Sequence, residues 1–239
     1  MVSSVLSGNF NIIDFIINIL ISIPAVLIAI SVHEAAHAYV AYKLGDPTAK
    51  LMGRVTINPT AHFDFVGALF MLSFGFGWAK PVPFDLRMLK HPKRDTALIA
   101  AAGPISNLLI GFIFCGIWYG ILFFGISYYP ALLDESSFIG ILMQMIQVIA
   151  VLNLSLMVFN LIPIPPLDGS KVVISFLPSS AHGFVLNYER YGMPILMIWL
   201  LISDYLPWFL SLSTLHGWIT SNLLTVVFDV WDFVFRLFV

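Results

Sequence analysis

The chain has 239 residues, a formal net charge of −2 and 59% hydrophobic residues, while only 10% of its residues are charged. An ordinary soluble domain carries about 25% charged residues, so the composition indicates a membrane protein and excludes a soluble or disordered one. A nucleic-acid-binding protein is excluded because no basic excess is present to neutralise phosphates. The single cysteine, Cys115, lies in an apolar segment and allows neither a disulfide framework nor a cysteine-based metal site.

Long apolar segments predict an all-α polytopic membrane protein with about four to six transmembrane helices, since about 20 apolar residues cross a bilayer. The predicted spans are 11–43, 96–128, 137–162 and 191–207. A C-terminal segment, 218–239, is apolar but carries Asp229, Asp232 and Arg236. An interfacial helix or a packed span is therefore expected there rather than a lipid-facing one. We expect a single membrane domain over 1–239.

Most of the basic residues of the chain lie between residues 43 and 94, on both sides of the apolar segment 63–79. Because positively charged loops stay in the cytoplasm, both flanks are expected there. The apolar segment is therefore predicted to re-enter the membrane without crossing it, packed in protein or lining a cavity. Within the same loop, 54–58 and 81–84 are predicted as short β-strands, from β-branched residues and from prolines that favour extension.

The end of the first predicted span carries the pattern H-E-x-x-H at His33, Glu34 and His37. Residues four apart share one face of a helix, so both imidazoles could bind one Zn²⁺ ion. Glu34, next to the first histidine, is placed to act as a general base. The alternative, a chance group of core polar residues, is disfavoured because buried ionisable side chains in a membrane helix are costly without a function.

A catalytic zinc site requires a third protein ligand, and the best candidate is Asp168. It follows the third span in the segment 160–169, whose prolines end the helix and present the carboxylate from irregular backbone. Both motifs are expected at similar depth in the cytoplasmic half of the bilayer. The alternative is that Asp168 caps a short helix predicted over 169–177.

The sequences HEAAH at 33–37 and NLIPIPPLDG at 160–169 together resemble the site-2 protease family of intramembrane zinc metalloproteases. The resemblance covers about residues 25–180 and extends to three further segments, 58–59, 77–83 and 102–107. The chain is similar to the minimal core form of the family, which carries no PDZ or CBS domain.

The resemblance implies one Zn²⁺ per chain, bound by His33, His37 and Asp168. It implies Glu34 as the catalytic acid/base, and Asn160 as a residue that helps to bind substrate or to stabilise the oxyanion. The implied activity is regulated intramembrane proteolysis, the cleavage of single-span or unwound transmembrane proteins. The implied location is the cell membrane, as a multi-pass protein with its active site in the cytoplasmic half. The sequence predicts no nucleic-acid partner and no particular oligomeric state.

The sequence alone leaves two other functions open. A different membrane H-E-x-x-H protease would use a downstream glutamate as third ligand, and only Glu135 and Glu189 are available. A non-catalytic zinc-binding membrane protein would have no use for Glu34.

The remaining polar candidates have simpler interpretations. Four histidines in or near loops are expected to be ordinary interfacial residues: His62, His91, His182 and His216. Asn107, in the second span, is expected to hydrogen-bond between helices rather than to act in catalysis.

Overall fold

The computed structural model describes residues 12–67, 79–125, 137–207 and 211–237. In that part of the chain the fold is helical and contains no β-strand. The longer helices are α1 (Ile12–Lys43), α2 (Pro92–Gly125), α3 (Phe138–Asn160), α4 (Asp168–Phe176), α5 (His182–Ile202) and α6 (Leu212–Arg236). Short α-helical turns lie at Thr48–Leu51 and Pro59–His62, and 3₁₀ turns at Leu86–Met88, Ser179–Ala181 and Ser203–Tyr205.

Among the described residues, 4 helices are long and apolar enough to cross a membrane: Ile16–Lys43, Pro92–Gly125, Phe138–Asn160 and Leu212–Arg236. The predicted all-α, multi-pass membrane protein is thereby confirmed. Residues 191–202 of the span predicted at 191–207 belong to α5, and Ser203–Tyr205 form a separate 3₁₀ turn. Helix α5 is not one of the four because its first half carries Asn187, Glu189 and Arg190. The C-terminal helix α6, where an interfacial helix or a packed span is expected, is one of them by length and composition.

Helix α2 is the centre of the fold and packs against α1, α3, α4 and α6. Glycines on α2 let its neighbours approach closely. A Cβ atom at Gly111 would lie 2.6 Å from the Leu154 side chain of α3, and one at Gly116 would lie 2.4 Å from the Trp231 indole of α6. Small residues of this kind allow membrane helices to associate through van der Waals contact.

The prediction of short β-strands at 54–58 and 81–84 is wrong, because both segments are irregular. The second segment contains two prolines, which lack the N–H groups that a strand ladder needs. The two segments do meet, but through a side chain. The buried guanidinium of Arg54 donates hydrogen bonds to the carbonyls of Lys80 and Pro81.

Residues 68–78, which form most of the predicted re-entrant segment 63–79, lie outside the described residues, so re-entry stays a prediction. The described flanks of the segment lie together, since the Lys80 N–H donates to the His62 carbonyl at 2.9 Å. Both flanks are thus on the same side of the bundle, as a re-entrant path requires.

Several basic residues lie at the end of the bundle where α1 ends and α2 begins, which we call the basic end and define by Lys43, Lys93 and Lys171. The Lys93 ammonium donates to the Leu177 carbonyl at 2.7 Å, which joins the start of α2 to the end of α4. The loop after α1 is fixed here too, because buried Asp46 accepts hydrogen bonds from backbone N–H groups of the loop. The ends of α1, α2 and α4 therefore converge at the basic end.

Candidate active site

The C-terminal part of α1 places two histidines in the interior of the bundle. His33 and His37 are buried, and their rings meet edge to face with centroids 4.6 Å apart. Their Nε2 atoms are 3.0 Å apart. The four-residue spacing puts both rings on one helix face.

Asp168 reaches this histidine pair from the other side. Its Oδ2 atom lies 3.1 Å from the Nε2 atom of His33 and 3.1 Å from that of His37. The chain returns to this point because α3 ends at Asn160 and the following prolines redirect it into α4. Leu167 occupies the N-cap position of α4 without a side-chain hydrogen bond, so the structure does not show the alternative capping role for Asp168.

Gly169 allows the start of α4 to lie directly against the backbone at the end of α3. A Cβ atom on Gly169 would lie 2.3 Å from the carbonyl oxygen of Leu161 and 2.7 Å from that of Ile162. Backbone atoms cannot turn aside as a flexible side chain can. A residue without a side chain is therefore required directly after Asp168 to seat α4 against the end of α3.

The three side chains fit a zinc ion. Their facing atoms are separated by 3.0 and 3.1 Å, close to the separation of about 3.3 Å expected for tetrahedral ligands at about 2.0 Å from the metal. The Nδ1 atom of His37 lies 2.6 Å from the Ile99 carbonyl. That carbonyl requires a proton on Nδ1, which leaves Nε2 with the lone pair that a metal needs. Within the described residues, His33, His37 and Asp168 form the group of close metal-ligating side chains.

The surroundings of Asp168 favour its ionised form, which is the form that binds a metal. The Lys171 ammonium, on the next turn of α4, lies 3.7 Å from Oδ1.

Gly103 of α2 leaves room for the imidazoles. A Cβ atom on Gly103 would lie 2.4 Å from the Nε2 atom of His37 and 2.6 Å from that of His33. Sequence reasoning identified 102–107 as a family-like segment but did not indicate what Gly103 faces. The contribution of this glycine is the absence of a side chain against the ligand atoms.

Glu34, the three candidate ligands and Asn160 line a common cavity of about 730 Å³. Much of its wall is apolar and comes from α3, α5 and α6, for example Phe159, Met197 and Leu212. Asn160 donates through Nδ2 to the Leu156 carbonyl of its own helix at 3.0 Å. The alternative ligand Glu189 does not line this cavity, and Glu135 lies outside the described residues.

Two histidines expected to be interfacial have other environments. His62 is fully buried, with Nε2 at 2.8 Å from the Thr56 carbonyl. His216 of α6 lines the cavity, and its Nε2 lies 3.2 Å from the Ser155 hydroxyl of α3. No local pattern could have indicated the contact of His216, because 61 residues separate it from Ser155.

The interhelical hydrogen bond predicted for Asn107 is not formed with any described residue. Its side chain is buried, lines the cavity, and has both polar atoms without a partner in the described part of the chain.

Helices able to span a membrane, enclosing a His-His-Asp group with a neighbouring glutamate, form the arrangement expected of a membrane metalloprotease. Residues 123–203 match the family model described as "Peptidase family M50". The chain is 37% identical over 184 residues to "Putative zinc metalloprotease YwhC" of Bacillus subtilis, covering 76% of this chain and 81% of that protein. It is 22% identical over 203 residues to "Putative zinc metalloprotease Rip2" of Mycolicibacterium smegmatis, covering 78% of this chain and 68% of that protein. No solved structure matches the chain.

The chain therefore belongs to peptidase family M50, the site-2 protease family. The resemblance stated from the motifs at 33–37 and 160–169 is confirmed by these matches, which also identify the chain as a membrane zinc metalloprotease.

Proposed function

We propose that the chain is an intramembrane zinc endopeptidase that cleaves peptide bonds in or near transmembrane segments, as in regulated intramembrane proteolysis. The observation that carries this proposal is the His33–His37–Asp168 group beside Glu34, in a largely apolar cavity between helices long enough to span a membrane. The substrates would be single-span or locally unwound membrane proteins, and the whole chain, 1–239, would act as one domain.

His33, His37 and Asp168 would hold one Zn²⁺ per chain. When bound, the zinc ion supplies Lewis acidity, which polarises the scissile carbonyl and makes water easier to deprotonate. Three protein ligands leave a coordination position open, as catalytic rather than structural sites require. The position of Glu189 outside the cavity argues against a protease of the kind that uses a downstream glutamate as ligand.

Glu34 would take the proton from the attacking water and return it to the leaving amine. It lines the cavity beside His33 but is not one of the three close ligating side chains. Asn160 would help to bind the peptide or to stabilise the oxyanion. Its carboxamide uses one N–H on the Leu156 carbonyl and has a second N–H that can donate to substrate.

The active site would lie in the cytoplasmic half of the membrane. His37 is six residues before Lys43 on α1, which corresponds to about 9 Å of helix. The positive-inside rule assigns the basic end to the cytoplasm. Single cysteines at Lys50 and Lys90, in a Cys115→Ala background, should both resist an impermeant thiol reagent in intact cells. Labelling of either position would contradict this orientation.

The activity itself is tested with Glu34→Gln, which keeps the size of the side chain and removes the base. Zinc per protein should stay unchanged while cleavage of a single-span reporter in liposomes falls by about 100-fold or more. Glu189→Gln, which changes an exposed glutamate, serves as the matched control and should alter neither quantity. Near wild-type cleavage by Glu34→Gln would refute the mechanism, and loss of zinc would show that Glu34 holds the site together instead.

A further inference from the structure

A buried carboxamide in the cavity lacks a hydrogen-bond partner. Asn107 of α2 is fully buried and lines the same cavity as His33 and Glu34. Neither its Oδ1 nor its Nδ2 atom is hydrogen-bonded to any described residue. Because buried polar side chains are nearly always hydrogen-bonded, this carboxamide is available to a partner beyond the described residues.

Two other asparagines show how a helix usually satisfies the N–H of such a group. Asn153 donates through Nδ2 to the Ile149 carbonyl at 2.8 Å, and Asn160 donates to the Leu156 carbonyl at 3.0 Å. Each acceptor is four residues earlier in the same helix. Asn107 does not use this arrangement, so its donor atom is left for another partner.

The position of Asn107 follows from Gly103, one turn earlier on the same face of α2. The Gly103 carbonyl, the acceptor that Asn107 would otherwise use, accepts from the Ser106 hydroxyl at 2.7 Å. The α-carbon of Gly103 faces the imidazoles of His33 and His37. Asn107 is therefore about 6 Å further along α2 than this contact, on the side away from the basic end.

We propose that Asn107 binds the backbone of the unwound substrate, with Nδ2 donating to a peptide carbonyl and Oδ1 accepting from a peptide N–H. An unwound segment exposes both groups, and in an apolar cavity they need partners. A carboxamide offers a donor and an acceptor, so it matches a peptide unit whatever the substrate side chain. This inference rests on the proposed function and adds a backbone contact on the membrane-interior side of the site.

The variant Asn107→Leu tests whether the carboxamide binds the substrate backbone, because leucine has a similar size and lacks both polar atoms. No described residue loses a hydrogen bond, so the Tm of the variant should equal or exceed that of the wild type. KM for the reporter should rise about tenfold, with a smaller change in kcat. In the control Asn153→Leu, outside the cavity, the loss of the bond to Ile149 should lower the Tm and leave KM unchanged.

Binding is measured separately with zinc-loaded Glu34→Gln protein and the uncut fluorescent reporter in detergent. Adding Asn107→Leu should weaken this binding about tenfold. Equal binding by the two proteins would overturn the inference while leaving the proposed function intact. Failure of the wild type to cleave the reporter would instead refute the proposed function.

A reporter with one backbone ester at a time locates the contact, since an ester has no N–H and a weaker acceptor carbonyl. At one position near the cleavage point, the ester should weaken binding to Glu34→Gln protein but not to Glu34→Gln/Asn107→Leu protein. The same losses in both proteins at every position would overturn the inference, because Asn107 would then have no contact with the substrate backbone.

Discussion

Glycine allows close contact in both halves of α2, but the contact lies at the candidate metal site in one half and between packed helices in the other. In the site half, 92–107, Gly103 brings the helix against the imidazoles of α1. In the packing half, 108–125, Gly116 brings it against the Trp231 indole of α6. The first contact involves groups that would bind metal, whereas the second joins a glycine to an aromatic ring.

This difference shows that close approach alone does not reveal the purpose of a glycine. A side chain at either position would collide with its neighbour, but only Gly103 faces atoms with chemical function. A side chain at Gly103 should therefore abolish zinc binding and activity, and disruption of the contact at Gly116 should reduce stability while the site stays intact. The following predictions test that separation, beginning with the largest expected effect.

Gly103→Val should abolish zinc binding and lower cleavage by at least about 100-fold, because the new side chain occupies the space of both Nε2 atoms. Zinc per protein and reporter cleavage measure the effect, and circular dichroism checks that the helices remain. The control is Gly217→Val, at a helical glycine with nothing within 4 Å of the added Cβ. Full zinc occupancy in Gly103→Val would refute the separation.

Asp168→Ala should remove one of the three proposed ligands, so zinc and activity should be lost together. The matched variant Glu189→Ala should keep both, since Glu189 lies outside the cavity. The zinc content of the two purified proteins shows whether Asp168 is the third ligand. An active, zinc-containing Asp168→Ala protein would exclude the assigned ligand set.

Trp231→Ala should destabilise the protein by roughly 3 kcal/mol, the low end for such a truncation because the indole is only partly buried, without affecting zinc content. The indole packs on Phe112 with ring centroids 4.9 Å apart and donates to the Phe112 carbonyl at 2.9 Å. Thermal unfolding in detergent measures the loss, with Phe233→Ala, exposed on the same helix, as the control. Loss of zinc from folded Trp231→Ala protein would show that the two halves of α2 are coupled.

Asp232→Asn should have the smallest effect, a decrease in Tm close to the error of the measurement. Asp232 accepts hydrogen bonds from Tyr119 and Arg236 at 2.7 Å, but Arg236 is well exposed and such surface pairs contribute little. A decrease as large as that of Trp231→Ala would mean that this polar contact, rather than aromatic packing, holds α6 in place.

The sequence was informative wherever function depends on local spacing. The pair His33 and His37 follows from helix periodicity, and the structure brings their ring nitrogens together. The place of Asp168 after the third span and the family resemblance both predict it as the third ligand. Its approach to the histidines then depends on Gly169 and on the proline-rich turn.

Contacts between distant segments were beyond sequence reasoning. The unpartnered amide of Asn107 and the contact of His216 with α3 depend on how helices pack, which no local pattern specifies. The predicted strands were wrong because β-branched residues and prolines favour extended backbone without ensuring a partner strand. The segment 54–58 is joined to 80–81 by hydrogen bonds from the Arg54 side chain instead of by backbone hydrogen bonds between strands.

The separation of 131 residues between His37 and Asp168 has a consequence for synthesis. A nascent chain that has produced α1, α2 and α3 holds two of the three proposed ligands and cannot complete the site. At about 5–20 residues per second, the aspartate follows the histidines on the order of ten seconds later. The protein therefore cannot act as a protease during synthesis until α4 has brought Asp168 to the histidines of α1. The order of the ligands along the chain thus delays activity until after most of the chain has been inserted.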